Sequence, residues 1–93
     1  MPIAFYVAGH LTAFTEGENN LTLATTPATV REALEDLWNA YPGLRDRVVT
    51  EQNRVRPHVI VFIGTDDIRN LEGLDTPVSD VNEISILPAV SGG

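Results

Sequence analysis

Residues 29–41, TVREALEDLWNAY, decide the fold class of this chain. Val30, Ala33, Leu34, Leu37, Trp38 and Tyr41 recur at i, i+3, i+4 and i+7, the spacing that gathers side chains onto one stripe of an α-helix, and the opposite face is charged and polar. Two starts compete: Thr26 as N-cap with Pro27 in the first helical position, or Thr29 with Glu32 as a capping box. The stop is clear, because Pro42 disfavours helical geometry at Tyr41 and Gly43 releases the chain. Leu44 to Val49 has room for a short second turn of helix. A helix with one apolar stripe must bury it against another layer.

That layer is read from the flanks. Residues 3–8, IAFYVA, alternate large and small apolar side chains, which predicts a strand with Ile3, Phe5 and Val7 facing the core. Gly9 to Thr15 reads as irregular, Gly17 to Asn20 as a turn, and Leu21 to Thr25 as a second strand. Beyond the helix, Glu51 to Pro57 is a polar loop and residues 58–63, HVIVFI, form a continuous β-branched run suited to the middle of a sheet. Residues 64–67, GTDD, turn the chain, Ile68 is expected to open a short return strand, and Leu71, Leu74 and Val78 to plug a coil crossing the core. Asp80 to Glu83 turns again into a last strand, Ile84 to Leu87, stopped by Pro88. Two strands, a helix and two more strands make an α+β arrangement with one long helix packed across one face of the sheet.

Composition bounds the function. The chain has 93 residues, 43% of them apolar, enough for one core and a radius of gyration of about 12 Å. Thirteen acids against six bases give a formal charge of −7, which repels nucleic-acid backbones and anionic membranes. There is no cysteine, so disulfides, thiol nucleophiles and thiolate metal sites are excluded. All six bases are arginine, so no lysine acts here. No apolar run approaches the roughly 20 residues of a membrane span, and the start lacks the features of a signal peptide, so the expected location is the cytoplasm.

The remaining chemistry-bearing residues read as structural. His10 and His58 share no ligand spacing with one another or with Asp66, Asp67 or Glu83, so no metal site is expected and both histidines read as surface or strand-end residues. Asp66 and Asp67 are adjacent, as in a turn, rather than spaced across a cleft as in a hydrolase. Gly64 and Gly73 form no phosphate loop. Ser91 has no base within its motif, and Trp38 and Tyr41 belong to the core stripe.

The chain ends in residues 87–93, LPAVSGG. This ending, after an aspartate-led turn and a strand-strand-helix-strand order, closely resembles the MoaD/ThiS family of ubiquitin-like sulfur carriers over essentially the whole chain. Together with the length and the segment from His58 to Arg69, it looks most like the CysO-type carriers of cysteine biosynthesis, with the small subunit of molybdopterin synthase next.

The resemblance implies a β-grasp fold: a mixed sheet of four to five strands, the first and last parallel at its centre, in a domain of residues 1–88 followed by a flexible tail, 89–93. It implies a protein co-substrate rather than an enzyme, with no bound cofactor and no catalytic residue of its own. An ATP-using, ubiquitin-activating-type enzyme would adenylate the Gly93 carboxylate, and sulfur would displace AMP to leave a thiocarboxylate. A sulfur-accepting synthase, pyridoxal-phosphate-dependent in the cysteine case, would receive it, and a hydrolase would release the product. Conjugation through Gly93 to lysines of target proteins, or a binding module with an inert tail, are the alternatives.

The residues suit the carrier expectation. Pro88 is expected to end the strand ladder, after which Ala89, Val90, Ser91, Gly92 and Gly93 reach on the order of 16 Å into a partner's active site. Gly92 and Gly93 leave the terminal carbonyl unshielded. Leu87, if Ile84 and Ile86 face inward, turns outward beside the tail and is expected to dock partners together with Phe62; the alternative is that the helix or tail covers Leu87, and the facing of the strand that carries His58, Ile60 and Phe62 is unassigned. A monomer is expected of a carrier that visits several enzymes.

Overall fold

The helix begins where the capping box places it. In the computed structural model, which describes residues 3–78 and 83–89, α1 spans Val30–Ala40 with Thr29 as an extended N-cap whose side chain accepts the Glu32 N–H at 3.2 Å. The Glu32 carboxylate reaches back to the N–H of Ala28, also at 3.2 Å, so two otherwise orphaned donors are satisfied and the start at Thr26 is not used. Val30, Ala33, Leu34, Leu37 and Trp38 are buried, and Tyr41 packs half-buried at the edge of the core. Each fully buried leucine contributes about 1.5–3 kcal/mol relative to exposure. Pro42 ends α1 and also opens α2, Pro42–Val48, a proline at the first helical position having no N–H to leave unpaired. This second helix is longer than the single turn expected, and it buries Leu44 and Val48.

The sheet has five strands, β1 (Ile3–Val7), β2 (Asn20–Leu23), β3 (Val59–Ile63), β4 (Asp66–Asp67) and β5 (Glu83–Pro88), in the order β2-β1-β5-β3-β4. β1 and β5 run parallel at the centre and the other pairings are antiparallel, a mixed β-grasp sheet with the helices on one face. Ile3, Phe5 and Val7 face the core as the alternation predicts, together with Val59, Val61 and Ile63 from β3 and Ile84 and Ile86 from β5. The radius of gyration is 12.1 Å, matching the expectation for this length.

Three local expectations are corrected. Residues Gly9–Phe14 are not irregular but form a 3₁₀ helix that inserts Leu11 into the core. The return strand is Asp66–Asp67 rather than a strand opened by Ile68. A two-residue loop begins at Gly64, whose φ of +60° is what the first position of a tight hairpin turn requires, and Asp66 pairs directly opposite Ile63. Ile68 instead starts a 3₁₀ turn and is buried. Leu74 and Val78 plug the core, but the backbone turns away at Leu71 (φ −119°, ψ −133°) and leaves that side chain 45% exposed.

Asp67 caps the turn of Ile68–Asn70. Its carboxylate accepts from the Arg69 guanidinium at 2.9 Å and from the Arg69 N–H at 2.9 Å, and these two bonds, the side-chain one first, hold its pKa below the ordinary 3.8. A carboxylate lowered in the folded state stabilises the fold above its unfolded value and loses that contribution as pH falls through the folded one. Asp67→Asn is therefore expected to be slightly less stable than the parent at neutral pH. The difference should close as pH drops below 3.8, a trend that urea unfolding at a series of pH values would measure.

Candidate functional site

β5, in the middle of the sheet, is the last element before the carboxyl-terminal residues. Because Ile84 and Ile86 are fully buried, alternation places Leu87 on the face away from the helices, where it is half-buried. The facing of β3 follows the same rule: Val59, Val61 and Ile63 point inward, so Ile60 and Phe62 share the open face with Leu87. Register then aligns them. Ile60 lies opposite Leu87, while Phe62, Ser85 and Tyr6 form the adjacent row across three strands. Leu87 and Phe62, the two residues expected on the docking face, are thus brought together with Ile60 and with Tyr6, which is 37% exposed. Tyr6 went unremarked in the sequence, although its place between Phe5 and Val7 is itself an outward signal. His58 is not part of this face; it precedes β3 and lies exposed at the root of the tail.

That root is built differently from the expectation. Pro88 does not end the ladder with β3: it is the last residue of β5, opposite Val59, and the Ala89 N–H still donates to the His58 carbonyl at 2.7 Å. The reason is which neighbour needs the missing N–H. In the antiparallel ladder with β3 the donors fall on Leu87 and Ala89, so a proline between them interrupts nothing there. On the β1 side, Ala8 donates to Ile86 at 3.1 Å, and the next donor in the parallel pattern would be Pro88; having none, that ladder stops and the chain turns into its 3₁₀ helix. Ala89 is half-buried, and residues 90–93, including the expected site residues Val90, Ser91, Gly92 and Gly93, lie outside those described.

Gly9 closes the root from below. Its φ is +64°, and a Cβ built there would stand 2.9 Å from Pro88 Cγ. Gly9→Ala is therefore expected to cost more than about 1 kcal/mol, from left-handed backbone and steric overlap together, and to displace Pro88. Thermal unfolding and amide shifts at Ala89 would register both effects. Beside Gly9, His10 and His58 flank a shallow pocket of about 280 Å³ completed by Asp46, Arg47 and Arg56, with the Arg47 guanidinium 4.8 Å above the Phe14 ring. Among the described residues no cluster of three or more His, Asp or Glu is arranged to hold a metal ion, and Asp66 and Asp67 sit in the β3–β4 hairpin with Asp67 committed to Arg69. No helix among them is long and apolar enough to cross a membrane.

The comparison with protein families is decisive for kinship. The model of the ThiS family matches residues 6–93, from β1 to the final glycine. The chain belongs to the ThiS family. Its relatives include both sulfur carriers and ubiquitin-like modifiers. It is 36% identical over 66 residues, 71% of either chain, to small archaeal modifier protein 3 of Haloferax volcanii. To the sulfur carrier protein CysO of Mycobacterium tuberculosis it is 31% identical over 67 residues, 70% of this chain and 72% of that one. A chain in the crystal structure of the Amycolatopsis orientalis BexX/CysO complex superposes with a TM-score of 0.83 at 30% identity, covering 98% of this chain and 99% of that chain. The β-grasp architecture and the ThiS-type kinship implied by the ending are both borne out.

Proposed function

We propose that this chain is a sulfur carrier whose C-terminal Gly93 is the point of chemistry. The observation that carries the reading is the ThiS-family match running through to the terminal Gly92-Gly93 pair, on a chain that also resembles CysO. A carboxylate is a poor electrophile. An activating enzyme of the ubiquitin-activating type uses ATP to convert the Gly93 carboxylate to an acyl-adenylate with release of pyrophosphate; a sulfide equivalent then attacks the carbonyl carbon, the C–O bond to AMP breaks, and a thiocarboxylate remains. The sulfur resides on a backbone terminus, which fits a chain without cysteine. The protein itself is a co-substrate and binds no cofactor; ATP is used by its partner.

The fold supplies presentation. With Ala89 held by His58, residues 90–93 span at most about 14 Å, enough to carry Gly93 into a partner's active site while the domain stays outside. The open face beside the tail, Leu87 with Ile60, Phe62 and Tyr6, is the docking surface: apolar, contiguous and next to the point of exit. The acceptor is a biosynthetic synthase, and similarity to CysO favours a pyridoxal-phosphate-dependent cysteine synthase followed by a releasing hydrolase, over a molybdopterin-type acceptor. The protein acts in the cytoplasm, as a monomer.

The identity to a small archaeal modifier protein supports a second reading, conjugation of Gly93 to lysines of target proteins. The chain's lack of lysine is compatible with that role, since the target provides the amine, but rules out polymers grown on its own side chains. Incubation with the host's activating enzyme and ATP tests the activation step: pyrophosphate release is expected from the full chain and none from one lacking Gly92 and Gly93. Adding the thiocarboxylate form to the synthase with an activated serine should yield a cysteine adduct at Gly93. Isopeptide-linked adducts in host extract, without that product, would favour the modifier.

A further inference from the structure

Positive charge is unevenly placed on this acidic chain. Four of its six arginines, Arg31, Arg54, Arg56 and Arg69, line one open cleft of about 510 Å³, and among the described residues no acidic side chain lines it with them. They come from three parts of the chain: the first turn of α1, the loop before β3, and the turn after β4. Beneath the guanidinium groups is an apolar floor of Val55, Val59, Ile68 and Leu74, of which Val59 and Ile68 are buried and the other two pack against the core.

The loop carrying Arg54 and Arg56 is held in place before any ligand arrives. Thr50 donates its N–H to the Arg54 carbonyl at 2.8 Å and accepts the Arg54 N–H on its hydroxyl at 3.2 Å. The Arg56 N–H bonds the Val48 carbonyl at 2.9 Å, and Val49 bridges to Val55. Arg31 and Arg69 are partly neutralised by Asp75 and Asp67. Arg54 meets no side-chain acceptor among the described residues, and Arg56 spends only its Nε, on the Asp46 carbonyl at 2.7 Å. Guanidinium groups presented this way match carboxylates in a planar, two-pronged geometry.

We propose that this cleft docks an extended acidic segment of a partner protein, its carboxylates on Arg54 and Arg56 and its intervening apolar side chains on the Val55–Leu74 floor. The floor argues for a peptide over a bare phosphate, which has nothing to bury there. Space argues the same way: β4 pairs only with Phe62 and Ile63, so among the described residues no strand borders β3 at Val59 on the edge away from β5, where the cleft lies. Position links the cleft to the tail, because Arg56 also lines the His10–His58 pocket at the root of Ala89. A partner that grips the cleft is therefore beside the exit of the C-terminus. The inference does not depend on the carrier reading, since docking is measured with neither activating enzyme nor ATP.

Titration of the full chain, ¹⁵N-labelled, with a short peptide of alternating glutamate and leucine tests it. Amide shifts are expected at Val55, Val59 and Leu74, with affinity falling about tenfold or more in Arg54→Ala/Arg56→Ala and again in high salt, and no binding by the lysine-for-glutamate peptide. Because Arg56 also holds the Asp46 carbonyl, Arg54→Glu serves as a second variant that leaves this bond intact, and the same loss is expected. Shifts confined to Leu87 and Phe62, unchanged affinity in both variants, or inorganic pyrophosphate that displaces the peptide while producing the same shifts would each overturn the proposal.

Discussion

Replacing Phe5 with alanine is expected to remove about 3–5 kcal/mol of stability, a large part of the roughly 5–14 kcal/mol available to a domain of this length. Phe5 is 1% exposed and lies in β1, which is bonded to β2 on one side and β5 on the other; its register partners Leu21 and Ile84 are themselves buried. The cavity is therefore walled by two neighbouring strands and by the helix layer above, none of which is free to collapse into it. The next residue provides the control. Tyr6 points to the open face at 37% exposure, so Tyr6→Ala is expected to leave stability within about 0.5 kcal/mol of the parent. Urea unfolding of the two variants measures the contrast, and a loss below about 1 kcal/mol for Phe5→Ala would contradict the inward facing of β1.

The second large effect is on chemistry and leaves the fold untouched. Gly93→Ala is expected to keep the parent's unfolding midpoint, because Ala89 makes the last backbone contact described. Thiocarboxylate formation should fall about a hundredfold, since a methyl beside the carboxylate disturbs the approach of ATP and then of sulfur, and small misplacements at a reacting centre cost about that much. Removal of both Gly92 and Gly93 should abolish the reaction. Intact-mass measurement after incubation with the activating enzyme and ATP follows both variants. Normal conversion of Gly93→Ala would refute the need for an unshielded terminal carbonyl.

The parts of the fold that sequence made legible are those in which one physical rule dominates. The stripe of Val30, Ala33, Leu34, Leu37 and Trp38 is periodic over about two and a half turns and each member is buried. The alternation of Ile3, Phe5 and Val7 is equally direct. β3 was not legible in this way, because an unbroken apolar run has no period; only the pairing with β5 tells Ile60 and Phe62 from Val59 and Val61. Pro88 misled for another reason. Proline lacks a donor, but the ladder with β3 asks for donors from Leu87 and Ala89, and only the ladder with β1 asks for one from Pro88. Leu71 is apolar and exposed because the turn geometry of its neighbours outweighs the burial of one side chain.

The candidate site divides along the same line. Leu87, Ala89 and the glycines are contiguous in sequence, so the ending alone pointed to them. Tyr6, His10 and the arginine cleft are assembled from distant segments. Arg31 and Arg69 stand 38 positions apart, and nothing local to either marks the cleft they share. The overall charge of −7 hides it further, by describing the surface as uniformly acidic when four of its six arginines line one cleft.

The carrier role is tested most directly by intact-mass spectrometry of the protein isolated from its native host under sulfur demand. The account predicts a species heavier by the substitution of one sulfur for one oxygen, located at Gly93 by fragmentation and lost on treatment with a thiocarboxylate-specific alkylating reagent in favour of the alkylated form. A terminus that remains an unmodified carboxylate with the activating enzyme present would contradict it.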